Sequence, residues 1–300
     1  MARNTAAILR RRAGVTVLGP FARGDREEAL SSGADVVVIA TTSFLAAVAE
    51  DLHDAVDAGS NVITTAEEAA YPWANDAAMA HRLDALARSR GVTILGAGLN
   101  PGFVFDALVL TACGVVPEVE TLAVERVVDL SGFGRTVLRR IGVGHSRASF
   151  EAGFRAGSVT GHIGFPQSMR VVAGRLGVKI ERIERELEPL FAERDLQASS
   201  MRINASETAG FRQRYVAISD DERMWFEALF IGHVAPAAIG EEPRDGITIR
   251  GPSGDLTLAL TPGTNPQSGS ASIIANSIHR VIAARPGWVT VADLPPAAPA

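Results

Sequence analysis

The feature that most constrains the fold is a short uninterrupted apolar run, ADVVVI at residues 34–39. A strand that is apolar on both sides is typical of a parallel sheet with helices covering both faces. Helical and strand patterns alternate around this run, with strands predicted at Asn61–Thr65 and Val92–Leu95 and helices that start near Ser43 and Asp76. Repeated β-α units of this length predict a doubly wound, Rossmann-like parallel sheet.

The pattern changes after Gly102. Residues 178–190 fit a strand or a helix, and Pro189 favours the strand. We expect a Rossmann-like domain at residues 1–102, an α+β domain with a largely antiparallel sheet at 103–269, and a C-terminal helix within 270–295 that packs back on the first domain. The other elements predicted here are helices at Val104–Val115, Ala148–Ala156 and Pro166–Leu176, a loop at Ser131–His145, and strands at Val119–Val128, Phe211–Ile218, Met224–Ile231, Ile247–Arg250 and Leu256–Leu260.

The composition excludes several classes of protein. A net charge of −5 over 300 residues argues against a nucleic-acid partner, which selects a basic face. One cysteine cannot form an internal disulfide, and no apolar stretch reaches the roughly 18 residues that a membrane helix needs. These properties predict a cytoplasmic protein with no membrane partner. The basic start, MARNTAAILRRRAG, is either a surface helix or a transit peptide.

A parallel sheet binds its ligand beyond the carboxyl ends of its strands. The loops that follow predicted strands are Gly19–Gly24, Ala40–Ser43, Thr64–Tyr71 and Gly96–Gly102. We expect them to converge on one crevice, which makes Gly19, Thr41, Thr42 and Thr65 candidate cofactor contacts.

Charged residues in these loops have two interpretations. Arg23 lies just past a predicted strand end, where it would pair with the 2′-phosphate of NADP, or it is an ordinary surface arginine. Glu67 and Glu68 would act as a base or hold a cationic substrate, or they satisfy backbone N–H groups at a helix start. No set of His, Cys, Asp or Glu has metal-ligand spacing, so we predict no metal site.

Several stretches together resemble one known family. They are NVITTAEEAAYPW, LGAGLNPGFVFDAL, GHIGFPQSMRVVAGRLG, AGFRQR, EEPRD and RPGWVTVADLPP, found in this order between Gly33 and Pro295. The chain is similar in these motifs to the 2,4-diaminopentanoate dehydrogenase family, which includes the native amine dehydrogenases and is a branch of the dihydrodipicolinate reductase-like group.

The resemblance implies an NAD(P)-binding Rossmann domain and a catalytic domain that forms a homodimer. The implied reaction is the reversible oxidative deamination of a small-molecule amine to a ketone and ammonia, with NADP or NAD as cofactor. The implied catalytic residues are Glu67, Glu68, Asn100 and His162. The GLNPG turn would lie beside the nicotinamide with Gly98, Asn100 and Pro101, and the implied substrate contacts are Tyr71, Phe133, His162 and Gln167.

The start of the chain departs from this pattern. The family opens with a strand and a GxGxxG turn, whereas this chain opens with what reads as the helix that follows them. We therefore expect an N-terminally incomplete Rossmann sheet. Three explanations are open. The true start of the protein lies upstream, or dinucleotide binding has been lost, or Val15–Leu18 with Gly19–Gly24 substitutes for the first β-turn-α unit. The alternative functions are a reductase of cyclic imines and a non-catalytic small-molecule-binding remnant.

Overall fold

The computed structural model describes residues 1–299, except for the side chain of Arg23. Its α-helices are α1 (Ala2–Leu9), α2 (Arg26–Ser31), α3 (Ala49–Asp57), α4 (Ala77–Arg90), α5 (Ala107–Cys113), α6 (Arg135–Arg140), α7 (Arg147–Arg155), α8 (Phe165–Leu176) and α9 (Pro266–Ala283). Its strands are β1 (Val36–Ile39), β2 (Asn61–Thr64), β3 (Thr93–Gly96), β4 (Thr121–Asp129), β5 (Ile180–Phe191), β6 (Leu196–Ala198), β7 (Met201–Ile203), β8 (Thr208–Ser219), β9 (Met224–His233), β10 (Arg244–Arg250), β11 (Leu256–Leu260) and β12 (Gly287–Val289). In the described part of the chain, no helix is long and apolar enough to cross a membrane.

The chain divides into two compact units. The first contains residues 1–111, 164–178 and the chain from Asn265 on, and the second contains residues 112–163 and 179–264. The sequence predicted residues 164–178 as part of the second domain, whereas they group with the first unit here. The reason is burial, because Val171 of α8 belongs to the same apolar cluster as Ile274 of α9.

The first unit is a doubly wound parallel sheet, as predicted. Its strand order is β1-β2-β3-β12, with parallel pairing throughout. Successive strand residues point to opposite faces, so that Val62 packs with Leu52 and Leu83 of α3 and α4, while Ile63 packs with Ile274 of α9. Burying each such side chain contributes about 1.5–3 kcal/mol. β12 was missed because three residues, Gly-Trp-Val, are too short to show a pattern.

Two predictions in the first unit are wrong. Val15–Leu18 is not a strand. Val15 and Val17 pack on the apolar cluster that includes Ile274 of α9, but they do not join the sheet. A cavity of about 520 Å³ lies between this segment and β1. The helix predicted to start at Ser43 begins at Ala49. Ser43 instead accepts a backbone hydrogen bond from Glu68, at 3.2 Å, and is held in a loop.

The second unit is built on a six-stranded sheet that is largely antiparallel, as predicted. Its order is β11-β10-β4-β9-β8-β5, and β4 with β9 is the parallel pair. The ambiguous segment is β5, the edge strand of this sheet, which tolerates Pro189 because one side of the strand needs no ladder hydrogen bond. The predicted loop Ser131–His145 contains α6, and the predicted helix Val104–Val115 is shortened to α5. The β6–β7 hairpin was not predicted.

Candidate active site

Three of the four predicted loops follow strands of the parallel sheet of the first unit. They come after β1, β2 and β3, whose carboxyl ends lie at one edge of the sheet. In the loop after β1, Thr41 is exposed and Thr42 Oγ1 accepts a hydrogen bond from Phe44 N. Thr65, after β2, donates its backbone N–H to Ile39 O at 2.9 Å. Of the three threonines, Thr41 is exposed, whereas Thr42 and Thr65 are half-buried.

The fourth predicted loop is arranged differently. Gly19 follows an extended segment outside the sheet, and its carbonyl accepts a hydrogen bond from Arg10 at 2.9 Å. Gly19 and Thr41 both line the cavity along β1. The predicted role of Arg23 concerns a side chain that lies outside the described residues, so it stays a prediction.

Glu68 ties two of these loops together. Its Oε2 accepts the backbone N–H of Leu45 at 2.7 Å, and its own N–H donates to Ser43 O. The Glu68 carboxylate thus satisfies a backbone N–H group, which was the second of the two interpretations given for Glu67 and Glu68 in the sequence analysis. The short 3-10 helix that carries both, Glu67–Ala70, packs on β3, where a Cβ on Gly96 would lie 2.3 Å from the backbone of Ala69.

The turn after β3 can form only with glycine at its end. Gly102 has φ +127°, and a Cβ there would lie 2.4 Å from Gly98 O. Asp106 holds the turn closed, since its Oδ2 accepts the N–H of Gly102 at 2.7 Å and the Oγ–H of Ser168, on α8, at 2.9 Å. Its Oδ1 accepts the N–H of Ala107 at 2.8 Å.

Asp106 is fully buried, and no cation neutralises it in the described part of the chain. Burial raises the pKa of its carboxyl, and the hydrogen bonds from Ala107, Gly102 and Ser168 oppose that rise. The sequence analysis missed this residue. The available signal was a lone carboxylate inside the apolar run FVFDALVL.

Asn100 sits in this turn with its amide group unsatisfied. Both Oδ1 and Nδ2 are buried, and neither has a hydrogen-bond partner among the described residues. A buried polar group without a partner costs about 1–3 kcal/mol. A planar amide with a free donor and a free acceptor matches the carboxamide of a nicotinamide or a substrate nitrogen.

Glycine at the start of α8 brings the turn and the acidic loop together. Gly164 has φ +97°, and a Cβ on it would lie 2.5 Å from Pro101 Cδ and 3.2 Å from Glu67 Cβ. Glu67 and Pro101 therefore both contact the backbone at the N-terminus of a 12-residue helix. The Cβ of Glu67 therefore lies beside the positive end of the helix macrodipole.

Two further predicted contacts lie nearby in the same unit. The ring of Tyr71 packs edge-on against Trp73, with centroids 5.3 Å apart. Gln167, on the first turn of α8, is 3% exposed, and its Nε2 donates to Asn75 Oδ1 at 2.5 Å. The Oε1 of Gln167 has no partner in residues 1–299, so it is free to accept a hydrogen bond from a ligand.

His162 and Phe133 belong to the second unit. Gln213 brackets the backbone of His162, accepting its N–H at 2.8 Å and donating to its carbonyl at 3.0 Å, and the imidazole lies 4.9 Å from the ring of Phe230. Burial, aided by the charges of Arg126 and Arg140, lowers the pKa of His162 to about 3. The ring is therefore neutral at physiological pH. Phe133 is half-buried in the turn after β4.

No group of three or more His, Cys, Asp or Glu able to hold a metal ion occurs among the residues that the structure describes.

Comparison with known proteins gives three consistent results. The family model of the 2,4-diaminopentanoate dehydrogenase C-terminal domain matches residues 103–299. The 2,4-diaminopentanoate dehydrogenase of Acetoanaerobium sticklandii is 31% identical over 283 residues, which are 91% of this chain and 80% of that protein. The structure of an amine dehydrogenase from Mycobacterium smegmatis superposes with a TM-score of 0.83 at 23% identity, covering 96% of this chain and 84% of that one. The resemblance found in the sequence motifs is confirmed.

Proposed function

We propose a reaction for this chain, which belongs to the 2,4-diaminopentanoate dehydrogenase family and is an oxidoreductase of the amine dehydrogenase type. The proposed reaction interconverts a primary amine with a ketone and ammonia at the carboxyl edge of the parallel sheet. The cofactor that we propose is NADP or NAD. We include in the proposal the family expectations of a homodimer and a cytoplasmic location. The substrate is a small amine or ketone.

The observation that carries the proposal is the buried amide of Asn100. Its donor and acceptor lack partners in the described protein, at a turn that Gly102 and Asp106 hold closed. A ligand carboxamide would satisfy both atoms at once, and the residues present therefore fit a nicotinamide. A bound nicotinamide would accept a hydride from the amine-bearing carbon in deamination and return one to that carbon in amination.

Glu67 is the proposed acid and base at the substrate nitrogen. It contacts the same helix start as Pro101, the neighbour of Asn100, so a ligand held by the Asn100 amide has a carboxylate close by. In the direction of deamination, its carboxylate would take a proton from the substrate ammonium and pass it to solvent. It would then take a proton from the attacking water and return it to the nitrogen, so that the C–N bond breaks and ammonia leaves. Glu68 is the weaker candidate, since its carboxylate already accepts the N–H of Leu45.

The neighbouring side chains would bind and orient the substrate. Gln167 offers Oε1, a free acceptor suited to an ammonium N–H, and Tyr71 offers a ring edge. His162 and Phe133 stay proposed substrate contacts, with His162 acting as a neutral hydrogen-bonding group because its pKa is about 3. Holding donor and acceptor in reacting geometry is the main contribution that such a site makes to the rate.

The test is a two-stage assay on the purified chain. NADPH and NADH are first titrated by nicotinamide fluorescence, and oxidation of the bound form is then followed over a panel of ketones with and without ammonia. We expect binding of at least one cofactor and oxidation that requires both ketone and ammonia. Tight cofactor binding without ammonia-dependent oxidation on any ketone would contradict the proposal, and light scattering tests the homodimer separately.

A further inference from the structure

The first unit has a second cavity, which shares only Tyr71 with the proposed substrate contacts. It has a volume of about 410 Å³ and lies among α4, α8 and the segment that surrounds β12. This volume is within the range of pockets that hold small organic ligands. The side chains that line it fall into two groups, one cationic and one aromatic.

Four arginines line the cavity, and two of them are already neutralised. Arg88 Nε lies 2.9 Å from Asp84 Oδ2, and a terminal nitrogen of Arg285 lies 3.5 Å from Asp293 Oδ1. Both carboxylates are also occupied by the protein backbone, since Asp84 accepts the N–H of Trp288 and Asp293 accepts the N–H of Thr290.

Arg170 and Arg175, both on α8, have no such partner. Neither has a carboxylate within salt-bridge distance anywhere in the described part of the chain. Both residues line one cavity, and no carboxylate of the described chain compensates their charge. A planar guanidinium binds phosphate oxygens through paired N–H donors, and this is the ligand group for which arginine is best suited.

An aromatic wall, formed by Tyr71, Trp73 and Trp288, lines the same cavity. Trp73 and Trp288 have ring centroids 6.4 Å apart, and Tyr71 packs on the edge of Trp73. Trp288 is 2% exposed, whereas Tyr71 and Trp73 are half-buried and present ring surface to the cavity. Aromatic surface of this kind binds the flat face or edge of a planar ring.

From this pairing of unpartnered arginines with an aromatic wall, we propose that the cavity binds a purine nucleotide, with its phosphates on Arg170 and Arg175 and its base against Trp73. The shared chemistry, a planar base that carries phosphates, occurs both in free nucleotides and in the ADP half of a dinucleotide. The site does not depend on the amine reaction, so it can be tested on binding alone.

The experiment uses intrinsic tryptophan fluorescence. Two of the three tryptophans, Trp73 and Trp288, line the cavity, and Trp225 belongs to the second unit. The whole chain is titrated with ADP, pyrophosphate, adenosine and NADP⁺. We expect ADP to give a saturable change and to bind more tightly than pyrophosphate or adenosine. A change with NADP⁺ but not with ADP would assign the ligand to the dinucleotide source only if the arginine double variant weakens it, because the proposed cofactor site also binds NADP⁺.

Matched variants decide whether the arginines are responsible. The double variant Arg170→Gln with Arg175→Gln should weaken ADP binding by about 10-fold or more. The control is Arg82→Gln with Arg3→Gln, which removes the same charge from two exposed arginines of the same unit outside the cavity. Both double variants should melt at the temperature of the parent.

Three outcomes would overturn the proposal. The first is no saturable change with ADP and no change with NADP⁺ that the arginine double variant weakens. The second is equal weakening in the two double variants, which would mean general charge attraction. The third is pyrophosphate binding as tightly as ADP, which would mean that the aromatic wall contributes nothing.

Discussion

Asp106 Oδ2 lies 2.9 Å from Ser168 Oγ, and this hydrogen bond joins the Asn100 turn to α8. The same oxygen accepts the N–H of Gly102. One buried carboxylate therefore holds together the segments that carry Asn100 and Gln167. Residues distant in the sequence depend on this one group for their relative position within the first unit.

Replacing Asp106 with asparagine should loosen this arrangement. An amide cannot accept all three hydrogen bonds, because its NH₂ group must face a donor, so we expect a loss of about 1–3 kcal/mol in the free energy of unfolding. Cofactor affinity should fall with it. Ser168→Ala, which removes a single hydrogen bond, is the milder comparison at about 0.5–1.5 kcal/mol. Urea unfolding and cofactor titration check both, and a fully stable Asp106→Asn variant with normal affinity would contradict the role.

The raised pKa of Asp106 also predicts a pH dependence. The folded protein holds the proton of the Asp106 carboxyl more tightly than the unfolded chain does. This tighter binding stabilises the folded state, and the stabilisation is fully present below the ordinary carboxyl pKa of about 3.9. It is lost as the pH rises through the raised folded value. As the pH rises from about 3.9 through the raised pKa, the parent should therefore lose unfolding free energy relative to Asp106→Asn, which does not titrate. A difference between the two proteins that is constant with pH would be inconsistent with the raised pKa.

Glu67→Gln should lower kcat by about 10²-fold or more, in the range typical of a lost acid–base group. Glu68→Gln is the matched control, because a glutamine oxygen can still accept the N–H of Leu45 and preserve the loop. We expect the control to keep most of the activity. Steady-state rates at saturating ketone and ammonia make the comparison, and equal kcat in Glu67→Gln and the parent would exclude the proposed role.

Asn100→Leu should separate stability from function. The free protein should become more stable, by up to about 1 kcal/mol, because two buried polar atoms without partners are replaced by apolar ones. Nicotinamide affinity should weaken by about 10-fold. Thermal unfolding with and without cofactor measures both effects together. A variant that is destabilised and still binds normally would show that the amide has a purely structural role.

Gly164→Ala should disrupt the helix start that Glu67 and Pro101 contact. A Cβ would lie 2.5 Å from Pro101 Cδ, and the φ of +97° is unfavourable for alanine, so we expect a loss of about 1–3 kcal/mol and reduced activity. Gly174→Ala in the same helix is the control. A Cβ there meets nothing within 4 Å, and alanine should stabilise the helix by about 0.5–1 kcal/mol. Similar melting temperatures for the two variants would argue against the close packing.

His162 should make the protein less stable as the pH falls. Its folded pKa of about 3 lies below the ordinary 6.5, so the unfolded chain takes up the proton first and stability is lost between these values. His162→Gln removes this titration, and its unfolding free energy should change less between pH 7 and pH 5 than that of the parent. The pH–rate profile between pH 5 and 8 should show no step from this residue. Equal pH dependence in the two proteins would contradict the lowered pKa.

The sequence by itself determined the elements whose pattern is local. Apolar runs identified β1, β2 and β3, and Asp76 before a helical repeat marked the start of α4, where its side chain accepts the N–H of Met79. Such patterns can be read because burial on one or two faces leaves a period in the chain itself. Ordered motifs likewise identified the family, and with it the acidic loop and the GLNPG turn as candidates.

Only the tertiary structure decided how the candidate residues are used. It separated Glu67 from Glu68 by giving the second carboxylate to Leu45, and it left Val15–Leu18 outside the sheet despite its β-rich composition. It also brought Asp106, Gly164 and the Asn100 turn together within the first unit. These roles leave no local period in the sequence, because each depends on contacts between segments far apart in the chain. Glycine is required at position 164, for example, because Pro101 occupies the space that a Cβ would need.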